Sequence, residues 1–196
     1  MEKGRLEAFS DGVIAIIITI MVLELKVPHG GDFEALRPML PVFLSYVLSF
    51  VYVGIYWNNH HHLFQAAERV NGAILWANLH LLFWLSLIPV TTAWVGDNHD
   101  RPLPTAFYGV VLFLAAIAYW ILQRAIIKEQ GSDSRMAGAL GMDWKGKLSP
   151  VLYLVGVGLS FVREPLADAI YVLVAAMWFI PDRRLARVVE TSAEKP

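Results

Sequence analysis

Six stretches of largely apolar residues, separated by charged or Gly- and Pro-containing breaks, constrain this chain more than any other feature. They run near Phe9–Val27, Pro41–Asn58, Ala73–Val95, Leu103–Ile127, Leu148–Val162 and Pro165–Ile180. In hydrocarbon every backbone N–H and C=O needs a partner within the protein, so apolar runs of this length fold as helices that cross a bilayer. The expected architecture is an all-α membrane protein with six transmembrane helices and no soluble domain. It divides into a transmembrane unit over residues 1–181 and a polar tail over residues 182–196. A hydrophobic share of 57% agrees with this, because soluble domains hold roughly 45–50%.

An even number of spans places both termini on one side, together with the second and fourth loops. Twelve of the 16 Lys and Arg residues then share that side, while Lys26, Arg37, Arg101 and Arg163 occupy the other. Basic residues crowd the cytoplasmic side of membrane proteins, so the expected placement is a multi-pass protein of the plasma membrane with both termini in the cytoplasm. Shifting the count by one span destroys the asymmetry. The last two runs, of 15 and 16 residues joined at Arg163-Glu164-Pro165, predict a tilted hairpin or a locally thinned bilayer. The stretch from Lys128 to Lys147 reads as a polar linker. A net charge of −1 argues against nucleic acid as a partner, and with no cysteine the chain has no disulfide framework or thiolate site.

The first span is a poor helix for facing lipid. It opens with Arg5-Leu6-Glu7-Ala8-Phe9-Ser10-Asp11-Gly12, then turns aliphatic with Thr19 as the one polar interruption before Glu24. At 100° per residue, Gly12, Ile16, Thr19 and Leu23 form one stripe and Ile20 adjoins it. Periodicity leaves two readings open. The stripe lines a narrow pore, or the isoleucines are core packing and Ser10 and Asp11 complement a helix N-terminus.

Arg5, then Phe9-Ser10-Asp11-Gly12, then Ala15-Ile16 and Thr19 resemble the motif that opens the first helix of the lysosomal potassium channel family, transmembrane protein 175. The likeness continues through Tyr56-Trp57-Asn58-Asn59-His60-His61-His62-Leu63-Phe64, Leu75-Trp76-Ala77-Asn78 and Ser86 to Ala93. The resemblance implies a homotetrameric, moderately potassium-selective channel in which four first helices surround the ion path without a selectivity-filter loop. It implies Ile16 as the narrowest ring, Ile20 and Leu23 as further rings of a hydrophobic gate, and Thr19 as the hydroxyl that influences ion preference. It assigns Arg5, Phe9, Ser10 and Asp11 a structural role. The expected partners are other copies of the chain and the lipid bilayer, with no cofactor apart from the permeating K+. Two positions depart from the pattern: His62 stands where an Arg is expected, and His80 lies in a stretch that is usually aliphatic.

Topology brings Asn58, His60, His61, Asn78 and His80 to the depth of Ser10 and Asp11, which predicts a supporting polar network. Buried polar groups in a membrane need such partners. Three consecutive histidines point about 100° apart on a helix, so no metal site is expected from them. The alternative function is an ion- or proton-coupled secondary transporter, which commonly needs broken helices in repeated halves; Pro89 is the one interruption of a span, and no repeat is visible. An enzyme is not expected, because no nucleophile–base pair, HExxH motif or phosphate-binding glycine loop is present.

Overall fold

Hydropathy locates the spans, but local chemistry sets their ends. In the computed structural model, which describes residues 2–131 and 144–179, the first helix α1 (Lys3–Leu23) begins within the polar N-terminal segment, ahead of the apolar run. Lys3, Arg5, Leu6, Glu7 and Ala8 favour helix on their own, so they extend it beyond the hydrocarbon. A 3-10 helix (Phe33–Met39) that the apolar pattern does not announce follows, capped by Asp32 Oδ1 accepting from the Ala35 N–H at 3.1 Å. Helix α2 (Leu40–Gln65) carries Pro41 in its first turn, where the missing N–H would have no partner anyway. It runs past the expected end, so residues 58–62 are helical.

The third span is two helices rather than one. Helix α3 (Gly72–Ser86) is capped by Asn71 Oδ1, which accepts from the Ile74 N–H at 3.0 Å, and α4 (Ile88–Asp97) follows after Leu87. Pro89 cannot donate to Leu85 O, and its ring crowds that carbonyl. The Leu87 N–H tightens onto Trp84 O at 3.2 Å instead, and the helix breaks there. The long α5 (Pro102–Gln130) is followed by α6 (Trp144–Ser160) and α7 (Glu164–Phe179). Among the described residues, the segments that hold α1, α2, α3 with α4, and α5 are long and apolar enough to cross a bilayer. With 17 and 16 residues, α6 and α7 are only about 25 Å long. Most of the expected linker, with Arg135, and the expected tail lie outside the described residues.

Helices α2 and α5 each contribute side chains to two cores. In the first, Ile14, Ile17 and Met21 of α1 pack with Leu63, Leu81, Leu85, Ala118 and Leu122. In the second, Tyr52, Tyr108, Tyr153 and Tyr171 form a tyrosine cluster with α6 and α7. Tyr52 donates to Tyr171 O at 2.6 Å, and the hydroxyls of Ser49 and Tyr108 pair at 3.0 Å. Tyr171 fits only because Gly109 and Gly156 leave room for its ring. A Cβ on Gly109 would stand 2.7 Å from Tyr171 Cζ and 2.9 Å from Val157 Cγ2, besides touching the hydroxyl. We expect Gly109→Ala to cost about 1–3 kcal/mol through overpacking, read as a lower unfolding midpoint in detergent; an unchanged midpoint would show that the three helices separate freely.

Candidate pore-lining helix

A three-residue polar bridge sets the rotation of α1. Ser10, Asn78 and His60 are all buried, on α1, α3 and α2. The Ser10 hydroxyl donates to Leu6 O at 2.8 Å, so its oxygen is left to accept from Asn78 Nδ2 at 2.9 Å. Asn78 Oδ1 then faces His60 Nε2 at 2.8 Å, and because an amide oxygen only accepts, that ring nitrogen carries the hydrogen. Each member is satisfied through its neighbour, as polar groups removed from water require. Lys3 adds an anchor at the same end, donating to Ala67 O at 2.9 Å beside the C-terminus of α2, where a cation complements the helix dipole.

With Ser10 turned inward, the Gly12–Ile16–Thr19–Leu23 stripe turns away from the rest of the chain. Ile16 is 58% exposed, Ile20 42% and Leu23 81%, while Leu6, Ile14, Ile17 and Met21 on the other side are 3% exposed or less. Arg5 and Phe9 lie on the same uncovered stripe. Thr19 Oγ1 donates to Ile16 O at 2.8 Å, which fixes its rotamer and leaves its lone pairs facing outward. Beside the stripe, Ile16, Ile20, Pro89, Val90 and Ala93 wall an apolar hollow of about 370 Å³ where the third span breaks. Just beyond the C-terminal end of α1, Lys26 pairs with Asp97 of α4 at 3.1 Å, an exposed pair of the kind worth at most about 1 kcal/mol.

The remaining expected network residues take other partners. Asp11 accepts from Trp57 Nε1 at 3.0 Å rather than from a His or Asn. One residue beyond Ser10 on α1, it projects about 100° away from Asn78. His61 pairs with Gln65 at 2.9 Å and stacks on Trp57, with ring centroids 6.0 Å apart. His80 accepts from Trp84 Nε1 on its own helix at 2.9 Å. Asn58 is half-buried and outside the bridge, and His62 Nδ1 is buried without a partner among the described residues. Sequence reasoning missed Trp57 and Lys3; the indole N–H one turn from His60 was the available signal for Trp57.

The chain is a helical membrane protein that leaves one apolar stripe of its first helix bare within the single chain. Residues 5–89, from the Arg5 motif to Pro89, match the family model of the endosomal/lysosomal potassium channel TMEM175. A potassium channel of Chryseobacterium is 56% identical over 187 residues, covering 95% of this chain and 97% of that protein. One of Streptomyces collinus is 36% identical, covering 89% and 90%. The endosomal/lysosomal proton channel TMEM175 of Bos taurus is 27% identical, and the match covers 87% of this chain but only 40% of that protein. The crystal structure of a lysosomal potassium-selective channel TMEM175 homolog from Chamaesiphon minutus superposes with a TM-score of 0.80 at 29% identity, covering 92% of this chain and 98% of that one. The chain belongs to the TMEM175 channel family.

Proposed function

We propose that four copies of this chain form a potassium channel of the plasma membrane, with the bare stripe of α1 lining the ion path and both termini in the cytoplasm. The observation that carries this reading is the exposure of Ile16, Ile20 and Leu23 on a helix whose opposite face is locked by Ser10, Asn78 and His60. One helix cannot enclose a pore, so the stripe acquires a role only when symmetry brings copies together. Ile16 forms the narrowest ring, Ile20 and Leu23 form further apolar rings, and the Thr19 hydroxyls offer oxygen to an ion beside the constriction.

Such a neck gates by dewetting: a narrow aliphatic ring expels water and raises the cost of stripping an ion of its shell. Potassium holds its water more loosely than sodium, so the neck favours potassium moderately without a carbonyl filter. The bacterial relatives carry the name potassium channel, which supports this ion, and the vertebrate relatives carry the name proton channel.

The natural chain has no cysteine, so a single introduced thiol reports its own position. Currents through Ile16→Cys are expected to be blocked by a water-soluble thiol reagent, and those through Ile17→Cys, on the buried face, to be unaffected. Block at position 17 with none at position 16 would overturn the assignment of the lining face.

A further inference from the structure

We propose that the hollow between α1 and α4 is a socket for a second copy of this chain: it receives Val22 of the neighbouring α1, which is thereby wedged between α1 and α4 of the first copy. The proposal rests on the reading that four α1 helices surround the ion path, and adds which flank of each helix meets which surface of the next.

The hollow holds about 370 Å³, with Ile16 and Ile20 on its α1 wall facing Pro89, Val90 and Ala93 of α4. Val90 is 60% exposed in the single chain. The hollow therefore shares two residues with the stripe assigned to the ion path, and it opens on one flank of that stripe. At 100° per residue, Ile20 lies about 70° to one side of the stripe's centre, and Ala15 and Val22 lie about 70–90° to the other. Both flanks are bare. Ile20 is 42% and Val22 45% exposed, and Ala15 is exposed as well, whereas Ile14, Ile17 and Met21 behind them are buried.

Ring geometry pairs these flanks. In a square of helices each α1 has its two neighbours about 45° to either side of the direction to the axis, at the roughly 8–10 Å separation of packed helices. Rotational symmetry makes the contact heterologous, so the Ile20 flank of one copy meets the Ala15 and Val22 flank of the next. Rotation about the membrane normal also preserves depth. Val22 stands two residues, about 3 Å, beyond Ile20, within the stretch of α1 from Val13 to Glu24 that borders the hollow. Ala15, two turns earlier on the same flank, carries only a methyl group and lets the helices approach. An acyl chain would suit the apolar walls, but helices close enough to bring four Ile16 side chains around one axis leave the neighbouring α1, rather than lipid, against this flank.

The natural chain has no cysteine, so introduced thiols report the contact directly. The full chain carrying both Val22→Cys and Val90→Cys is treated in its membrane with a short, membrane-permeant bis-maleimide, and each single variant is treated in parallel. Positions 22 and 90 lie on opposite sides of α1 within one chain, and the contact repeats around the ring. The double variant is therefore expected to lose its monomer band to a ladder that reaches the tetramer, while each single variant stays monomeric. A ladder that stops at the dimer, or equal cross-linking of a single variant, would replace the socket by a two-fold contact. A double variant that stays monomeric, although the wild type passes potassium current, would overturn the socket and leave the channel reading in place. Absence of any passive current in the wild type would overturn both.

Discussion

Ile16→Asn is expected to raise potassium conductance several-fold and to erode the preference over sodium. In the proposed pore an asparagine at this position would wet the neck and offer amide oxygens in place of an ion's lost water, lowering both the dewetting barrier and the hydration penalty that separates the two ions. The change is mild for the fold, because Ile16 is 58% exposed in the single chain. The same substitution at Ile14, two residues away on the buried face, buries an amide without a partner and costs about 1–3 kcal/mol. Planar-bilayer recordings of Ile16→Asn beside midpoint measurements of Ile14→Asn check the pair. Unchanged currents in Ile16→Asn would remove the constriction from this residue.

Asn78→Leu is expected to have the largest effect on stability. Its amide joins Ser10 to His60, so a leucine leaves the His60 Nε2–H buried without an acceptor and removes the donor to Ser10. Each unsatisfied group costs about 1–3 kcal/mol, although interhelical hydrogen bonds measured in membranes average nearer 0.6 kcal/mol. Together these give an expected loss of about 2–4 kcal/mol. Because the bridge also fixes the rotation of α1, channels that still assemble should conduct abnormally. Asp11→Asn should cost less than about 1 kcal/mol, since the Trp57 indole retains an oxygen acceptor. Denaturant titrations in detergent that ranked Asp11→Asn above Asn78→Leu would place the anchor of α1 at the carboxylate instead.

The contrast between Ser10 and Asp11 shows what the sequence could and could not reveal. Span positions were legible because apolar runs report hydrocarbon directly, and the α1 stripe was legible because helical periodicity is arithmetic. Which face the chain covers was not, since α2, α3 and α4 decide it from far along the sequence. Depth placed Ser10, Asp11, His60, His61 and Asn78 at one level, but only packing selects the azimuth at which Ser10 meets Asn78 and Asp11 meets Trp57. The break at Leu87 was half legible: Pro89 marked an interruption, and the structure shows a change from one helix to two. Hydropathy also underestimated α1, whose first turns are polar and helical at once.

The most direct test of the central claim is the reversal potential of the purified protein in a planar bilayer under opposing potassium and sodium gradients, repeated with a pH gradient. The account predicts a passive current that reverses on the potassium side of zero and scarcely moves with pH. A reversal that follows the proton gradient, or flux that appears only when a second solute or proton gradient is supplied, would contradict it.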